Sequence, residues 1–103
     1  TSAGAPSKAT YTLADGVATQ AIGRHTFPIL RALVDDIVTV AESEILPALE
    51  IIMSRTKQVV EPTGALTTAA ALSGRPDAEI RGRKVVSLLC GGNLDLRLLR
   101  ALS

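Results

Sequence analysis

One stretch near the carboxyl end, residues 84–93 (KVVSLLCGGN), constrains the fold of this chain more than any other. The run from Lys84 to Cys90 is short, apolar and rich in valine and leucine, which is typical of a parallel strand buried on both faces. Two glycines and an asparagine end the run, and residues 94–100 then have the pattern of a helix. A buried strand, a glycine turn and a helix in succession favour an α/β fold.

The turn after this predicted strand is a candidate binding site. In open α/β sheets, ligands lie outside the carboxyl ends of the strands. Gly91 and Gly92 allow a positive φ and the close approach of a flat or phosphorylated group. Cys90 is the last side chain before the turn, so we expect it to face the occupant of that crevice. The same residues also fit a buried strand that simply ends in a glycine-rich turn, and the pattern alone does not choose between these readings.

Composition and charge narrow the functional classes. A chain of 103 residues can form one domain with a modest core, and with 47% apolar but only 2% aromatic residues that core must be aliphatic. The net charge of +1, with basic residues spread along the chain, gives no support for a nucleic-acid or membrane-surface partner. A single cysteine excludes an internal disulfide, and a single histidine leaves no metal-ligand spacing. Without a signal-peptide pattern or a membrane-length apolar run, we expect a soluble, cytoplasmic protein.

Predicted strands and helices alternate along the chain. The predicted strands cover residues 9–14, 34–40 and 84–90, with a very short one at 59–60. The predicted helices begin at Thr26 and Glu42 and cover residues 65–72 and 94–100. Alternation of this kind predicts a mostly parallel sheet with helices on its faces.

Three of the apolar stretches end in turns that could carry chemistry. These turns are Asp15-Gly16, Glu61-Pro62 and Cys90-Gly91-Gly92. If the three stretches are parallel strands, their ends fall on one edge of the sheet. Glu61 fits equally well as a helix-entry carboxylate near the helix dipole, and Asp15-Gly16 could be only a turn.

Other polar residues have simpler interpretations. Asp35 and Asp36 precede their predicted strand, so a solvated strand entrance fits better than a ligand crevice. His25 stands alone beside a helix start, where a surface or capping role is usual. Lys57 follows an amphipathic helix and is expected to be solvated rather than desolvated for covalent catalysis.

Five blocks of this sequence resemble threonine dehydratases in their order along the chain. They are residues 12–18 (TLADGVA), 26–29 (TFPI), 33–40 (LVDDIVTV), 59–65 (VVEPTGA) and 89–93 (LCGGN). Threonine dehydratases belong with serine racemases among the pyridoxal-phosphate enzymes of the tryptophan-synthase-β fold. The likeness covers about residues 10–93. It implies an α/β fold, namely pyridoxal-phosphate fold type II. The chain would be a fragment of the large domain of that fold, in which helices cover a mostly parallel sheet.

Two features of that family are missing from this sequence. None of Lys8, Lys57 and Lys84 lies in the motif of the lysine that binds the cofactor as a Schiff base, and there is no run of three or four glycines to hold its phosphate. The resemblance therefore implies that residues 10–103 are the C-terminal part of a catalytic domain. Such a segment should hold no catalytic residue of its own and should be inactive alone. The small, polar composition at the start of the chain predicts a loop or frayed end at residues 1–9.

The resemblance also implies which residues contact pyridoxal phosphate. Cys90, where many members have serine, would donate a hydrogen bond to the pyridine nitrogen. A neutral thiol leaves that nitrogen largely unprotonated, unlike a carboxylate partner, and this weaker electron sink suits prompt loss of a β-hydroxyl group. The other implied contacts form the wall beside the ring (Gly91, Gly92 and Asn93) and its edge (Glu61, Asp15 and Gly16).

The implied function is conversion of L-threonine to 2-oxobutanoate and ammonia by the whole enzyme. The implied partners are the remainder of the same enzyme, a small amino-acid substrate and further copies in a homo-oligomer, without nucleic acid or membrane. The implied setting is cytoplasmic isoleucine biosynthesis. Serine dehydration or racemisation is an alternative, and so is a non-catalytic module that packs against a partner chain.

Overall fold

The computed structural model describes residues 11–102, and the predicted loop or frayed end at residues 1–9 lies outside this range. Within it, four α-helices alternate with non-helical segments: α1 (Thr26–Leu33), α2 (Glu42–Thr56), α3 (Leu66–Leu72) and α4 (Asp77–Ile80). Three 3-10 helices cover Asp15–Val17, Pro62–Ala65 and Leu96–Leu102. The helices predicted to begin at Thr26 and Glu42 are therefore confirmed.

Helix α2 forms the centre of the fold because its apolar residues recur at helical spacing. Ile45, Ala48, Leu49 and Ile52 are all buried in the core. They pack against Ala65 and other small side chains of α3 and of the 3-10 helix before it. The acidic first turn of α2 suits the positive end of the helix dipole, and Glu44 accepts the Ala41 backbone N–H through Oε2 at 2.7 Å.

The predicted strands do not form within the described part of the chain. Residues 11–102 contain no β-strand, and Ala9 and Thr10 of the first predicted strand lie outside that range. The segments at 34–40 and 84–90 instead run as exposed, non-helical chain, with Val86 93% and Ile37 82% exposed. A strand needs a neighbouring strand to bond its backbone N–H and C=O groups, and residues 11–102 supply none alongside these segments.

Two further boundaries differ from the sequence-based expectation. The stretch between the predicted helix at 65–72 and the predicted strand at 84–90 contains the short helix α4. The helix predicted for residues 94–100 is a 3-10 helix displaced to Leu96–Leu102. Asp95 directly precedes this helix, and its carboxylate accepts the Arg97 backbone N–H at 3.0 Å, a capping bond that supports a start at Leu96.

Helix α3 holds the segment that leads to Cys90. The Thr67 hydroxyl donates to the Leu88 carbonyl oxygen at 2.8 Å and lies 2.9 Å from the Ser87 hydroxyl. The Thr68 hydroxyl is hydrogen-bonded to the same Ser87 oxygen at 3.1 Å. Hydrogen bonds to side chains of α3 therefore fix the positions of residues 87 and 88, just before the turn at Cys90.

Candidate functional site

The three turns selected from the sequence lie together in the structure. The 3-10 helix at Asp15–Val17 packs against the 3-10 helix at Pro62–Ala65. A Cβ added to Gly16 would lie 2.8 Å from the Thr63 hydroxyl oxygen and 3.2 Å from Glu61 Oε1. A Cβ added to Gly64 would collide with the Cys90 carbonyl oxygen. Glycines at these positions therefore let three distant parts of the chain come into close contact.

Glu61 connects two of these turns through hydrogen bonds. Its backbone N–H donates to the Gly91 carbonyl oxygen at 3.1 Å, and its Oε2 accepts the Asn93 backbone N–H at 3.0 Å. Gly91 has a φ of +84°, a conformation that favours glycine. A Cβ at this position would lie 2.5 Å from Glu61 Cδ, so the half-buried Glu61 side chain occupies the space that any larger residue would need.

Cys90 is exposed and its thiol is free. The preceding Leu89 packs partly against the core, whereas Gly91, Gly92 and Asn93 are exposed. The two glycines after Cys90 place no side chain beside the thiol. A flat molecule can therefore reach the Cys90 turn from the solvent side.

Asp15 is placed differently from its neighbour Gly16. It is exposed, and its carbonyl oxygen accepts the Ala18 N–H at 3.0 Å. It lines a hollow of about 320 Å³ together with Tyr11 and Asp95, among other residues, and neither Glu61 nor Cys90 lines this hollow. The structure thus brings Gly16, Glu61 and the Cys90 turn together, whereas Asp15 borders a separate hollow.

The segment before Asp15 is fixed by the start of α2. Glu42 Oε2 accepts the Leu13 backbone N–H at 2.9 Å, and Thr12 Oγ1 accepts the Ala14 N–H at 3.1 Å. Hydrogen bonds from the Thr12 hydroxyl and from the Leu13 N–H lower the pKa of Glu42. An ionised Glu42 therefore positions the chain that carries Gly16 into the site.

Sequence reasoning missed Thr63, which lies beside Gly16. Its hydroxyl oxygen is buried and has no hydrogen-bond partner among residues 11–102. An unsatisfied buried polar group costs about 1–3 kcal/mol, so natural proteins usually pair it with protein, water or a ligand. The sequence shows a threonine directly after Glu61-Pro62, which could have marked it as a candidate. The burial of its hydroxyl, however, depends on packing against residues nearly fifty positions away.

The other polar candidates lie in solvent. Asp35, Asp36 and His25 are exposed, and the Asp36 carboxylate accepts the Ile37 backbone N–H at 2.7 Å. Lys57 is exposed, as predicted, and its ammonium group donates to the Ser54 carbonyl oxygen at 2.7 Å. Across residues 11–102, no group of three or more His, Cys, Asp or Glu side chains could hold a metal ion. No helix in the same range is both long and apolar enough to cross a membrane.

Comparison with known proteins identifies relatives for most of the chain. Residues 2–91 match the family model described as "Pyridoxal-phosphate dependent enzyme". L-threonine dehydratase catabolic TdcB of Escherichia coli (strain K12) is 48% identical over 89 residues, which are 86% of this chain and 27% of that protein. L-threo-3-hydroxyaspartate ammonia-lyase of a Pseudomonas species is 45% identical over 85 residues, or 82% of this chain and 26% of that protein.

A solved structure supports the same relationship at the level of the fold. The crystal structure of serine racemase from Dictyostelium discoideum matches with a TM-score of 0.76 and 37% identity, covering 84% of this chain and 28% of that one. The chain thus spans about a quarter of the length of the curated relatives that it matches. These matches agree with the resemblance of five sequence blocks to threonine dehydratases. They also agree with the expectation that serine racemases share the same fold.

Proposed function

The chain belongs to the pyridoxal-phosphate dependent enzymes, and on that premise we propose that it is the C-terminal part of the catalytic domain of an ammonia-lyase acting on L-threonine. The products are 2-oxobutanoate and ammonia. The 48% identity to a threonine dehydratase supports this substrate. The remainder of the enzyme provides the cofactor lysine and the phosphate-binding loop, so this segment alone is inactive.

The observation that carries the proposal is the meeting of Gly16, Glu61 and the Cys90 turn at one place. The residues there fit a flat cofactor with a polar edge. Cys90 is exposed with a free thiol, and Gly91 and Gly92 add no side chains of their own after it. The buried Thr63 hydroxyl beside Gly16 is an unpaired polar group at the same site.

Each residue has a role defined by what it can donate or exclude. The Cys90 thiol would donate a hydrogen bond to the ring nitrogen of the bound cofactor. Gly91, Gly92 and Asn93 form the wall beside the ring, and Glu61 lies at its edge together with Gly16. When bound, pyridoxal phosphate supplies the electron sink for chemistry at the amino acid's Cα. Because a thiol imposes no charge on the ring nitrogen, it suits prompt elimination of a β-hydroxyl group.

The complete enzyme also provides the neighbours that the exposed segments lack. We propose that residues 34–40 and 84–90 become strands of a mostly parallel sheet when the rest of the chain lies beside them. Their exposed Ile37, Val86 and Leu88 are then covered, as expected for strands buried on both faces. The similarity to a serine racemase structure supports this arrangement. We also propose that the enzyme assembles as a homo-oligomer.

A second candidate is dehydration or racemisation of serine. The similarity to a serine racemase favours it, and the 45% identity to a hydroxyaspartate ammonia-lyase widens the set of possible β-hydroxy amino acids. A place in cytoplasmic isoleucine biosynthesis stays a prediction, since the name of the E. coli relative assigns that protein to catabolism.

The test uses the complete enzyme that contains this chain. We expect it to bind pyridoxal phosphate and to form 2-oxobutanoate from L-threonine faster than it converts L-serine or L-threo-3-hydroxyaspartate. Products are measured by mass spectrometry, and racemisation by chiral chromatography. A faster reaction with another of these substrates would replace threonine, and a lack of both cofactor absorbance and turnover would favour the non-catalytic module.

The Cys90 assignment has its own matched pair of variants. Cys90→Ser keeps a hydrogen-bond donor and should retain most of the activity. Cys90→Ala removes the donor and should lower kcat up to about tenfold, because a neutral hydrogen bond contributes about 0.5–1.5 kcal/mol. Equal activity of the Ser and Ala variants would contradict the assignment.

A further inference from the structure

We infer that Glu61 is a positioning residue that acts through Cys90 by fixing the Cys90 turn, defined as residues 90–93. This inference deepens the proposed function and rests on it. The Glu61 backbone N–H donates to the Gly91 carbonyl oxygen at 3.1 Å, and its Oε2 accepts the Asn93 N–H at 3.0 Å. One residue thus holds the turn at two points directly after the thiol.

Packing adds to these hydrogen bonds. Glu61 Cγ lies 2.9 Å from the position that a Cβ on Gly91 would take, so the side chain covers that face of the glycine. Glu61 Oε1 is also 3.2 Å from the corresponding position on Gly16. The same carboxylate therefore touches the turns at Gly16 and at Gly91, and a change in its length or polarity alters how they fit together.

The backbone of Glu61 is itself held in place. Pro62 follows it and is buried at the start of the 3-10 helix, and the Glu61 backbone is extended with φ −72° and ψ 163°. A residue before proline is restricted to such extended conformations, which limits its freedom. Gly64, one turn later, lies against the Cys90 carbonyl oxygen. The Cys90 backbone is therefore bounded by Gly64 on one side and by the Glu61 contacts on the other.

The hydrogen-bond pattern separates positioning from direct cofactor contact. Oε2 is already occupied by the Asn93 N–H, so the carboxylate serves the turn in the absence of any ligand. Glutamine has the same length and keeps one acceptor oxygen for that N–H. Leucine has a similar size and no acceptor. The Glu61→Gln and Glu61→Leu variants therefore isolate the acceptor from the volume of the side chain.

The first experiment follows the Asn93 amide by hydrogen exchange in the complete, cofactor-free enzyme. We expect Glu61→Leu to raise the Asn93 exchange rate at least tenfold and Glu61→Gln to leave it within about threefold of the unmodified enzyme. Glu50→Leu, at an exposed position on α2, serves as the control for a lost carboxylate. An Asn93 exchange rate unchanged by Glu61→Leu would overturn the inference, whether or not the proposed reaction is correct.

The second experiment asks whether Glu61 acts through Cys90. Glu61→Leu is combined with Cys90→Ala, and kcat and KM are measured for each single and double variant. We expect Glu61→Leu to lower kcat several-fold with a smaller change in KM, and Glu61→Gln to retain most of the kcat. In the Cys90→Ala background, Glu61→Leu should lower kcat by no more than a further twofold. If the fold-loss in kcat of the double variant equals the product of the two single losses, Glu61 acts independently of Cys90 and the inference is overturned.

The two experiments also separate this inference from the proposed function. If Cys90→Ala has no effect on kcat while the Asn93 amide responds to Glu61→Leu, the role of the thiol is wrong and the hold on the turn is right. Should Glu61→Leu fail to fold, Glu61→Asp provides the second variant, because one methylene less withdraws the acceptor from Asn93. Fast Asn93 exchange in Glu61→Asp then supports the inference, and unchanged exchange rejects it.

Discussion

At the scale of a single residue, the buried Thr63 hydroxyl lowers the stability of the fold. The hydroxyl oxygen is buried beside Gly16 and finds no hydrogen-bond partner in the described part of the chain, although the Thr67 and Thr68 hydroxyls are paired. A group of this kind lowers stability unless something binds it. Because it lies in the candidate site, we propose that cofactor or substrate binding supplies the missing partner.

We expect Thr63→Val to stabilise the cofactor-free enzyme and to weaken cofactor binding. Valine has nearly the same shape and removes the unpaired hydroxyl, so the free energy of unfolding should rise by up to about 1–3 kcal/mol. Thermal melting with and without pyridoxal phosphate measures both effects. Thr68→Val is the matched control and should lose stability, since it breaks the bond to Ser87. Destabilisation by Thr63→Val without cofactor would show that the hydroxyl already has a partner.

Gly64 sets the distance between two turns, and its replacement is predicted to be costly. In Gly64→Ala the new Cβ collides with the Cys90 carbonyl oxygen, a backbone atom that cannot move without shifting the turn. We expect a loss of about 1–3 kcal/mol in the free energy of unfolding, as for other overpacked sites, together with lower kcat. Urea denaturation measures the first effect and a threonine assay the second.

The control for Gly64→Ala is Gly23→Ala, whose Cβ would meet only the Thr26 side chain at 3.4 Å. This change should alter stability far less. Similar costs at the two glycines would mean that the contact between Gly64 and Cys90 does not constrain the fold.

At the scale of elements, one ion pair joins the start of α2 to the turn that follows α3. Arg75 donates from both terminal nitrogens to the two Glu44 oxygens, each at 2.9 Å, and Glu44 Oε2 also accepts the Ala41 N–H. The Arg75 hydrogen bond, and then the Ala41 N–H, lower the pKa of Glu44 below its ordinary value of about 4.5. Glu44 therefore binds protons less readily in the folded protein than in the unfolded one.

This lowered pKa predicts the pH dependence of stability. The contribution of Glu44 is complete above its unfolded pKa and is lost as the pH falls through the lower, folded pKa, because protonation then favours the unfolded chain. We expect Glu44→Gln to reduce the decline in unfolding free energy on acidification from neutral pH. Urea denaturation across that range gives the slope. Glu50→Gln removes a carboxylate from an exposed position of the same helix, and an equal effect from it would contradict the assignment.

The elements also show what the sequence could and could not predict. Helix α2 was predictable because Ile45, Leu49 and Ile52 repeat at a local spacing, and a helix bonds its own backbone. The strands predicted at 34–40 and 84–90 do not form in residues 11–102, because a strand must bond to a neighbouring strand and this range supplies none beside them. The helix after Asn93 starts at Leu96, where the Asp95 carboxylate caps it by accepting the Arg97 N–H.

At the scale of the whole molecule, the meeting of the turns was predicted from an expected sheet edge, yet other contacts produce it. Glu61 bonds to Gly91 and Asn93, and Gly64 lies against Cys90, without any strand in residues 11–102. Cys90 and Glu61 could be selected from the sequence as site candidates because each comes at the end of an apolar stretch, beside glycine or proline. It could not identify Thr63 or Gly64, because their importance lies in distances to residues far along the chain.

The exposed apolar segments give the last prediction. The described core is small, with Ile45 and Leu49 as its largest fully buried side chains, while Val86 and Ile37 lie almost fully in solvent. If residues 84–90 and 34–40 are strands in the complete enzyme, their amides gain bonding partners there. Hydrogen exchange should then be slow for both segments in the complete enzyme and at least a hundredfold faster in the isolated 103-residue chain.

Helix α2 provides the internal reference for this comparison, because its backbone bonds lie within the helix and its apolar face is buried in the described chain. Its amides should be protected in both proteins. Fast exchange of α2 in the isolated chain would show that the segment does not fold alone, and the strand comparison would then depend on the complete enzyme only. Fast exchange of residues 84–90 in the complete enzyme would contradict the sheet, since a strand bonded on both sides cannot exchange without opening.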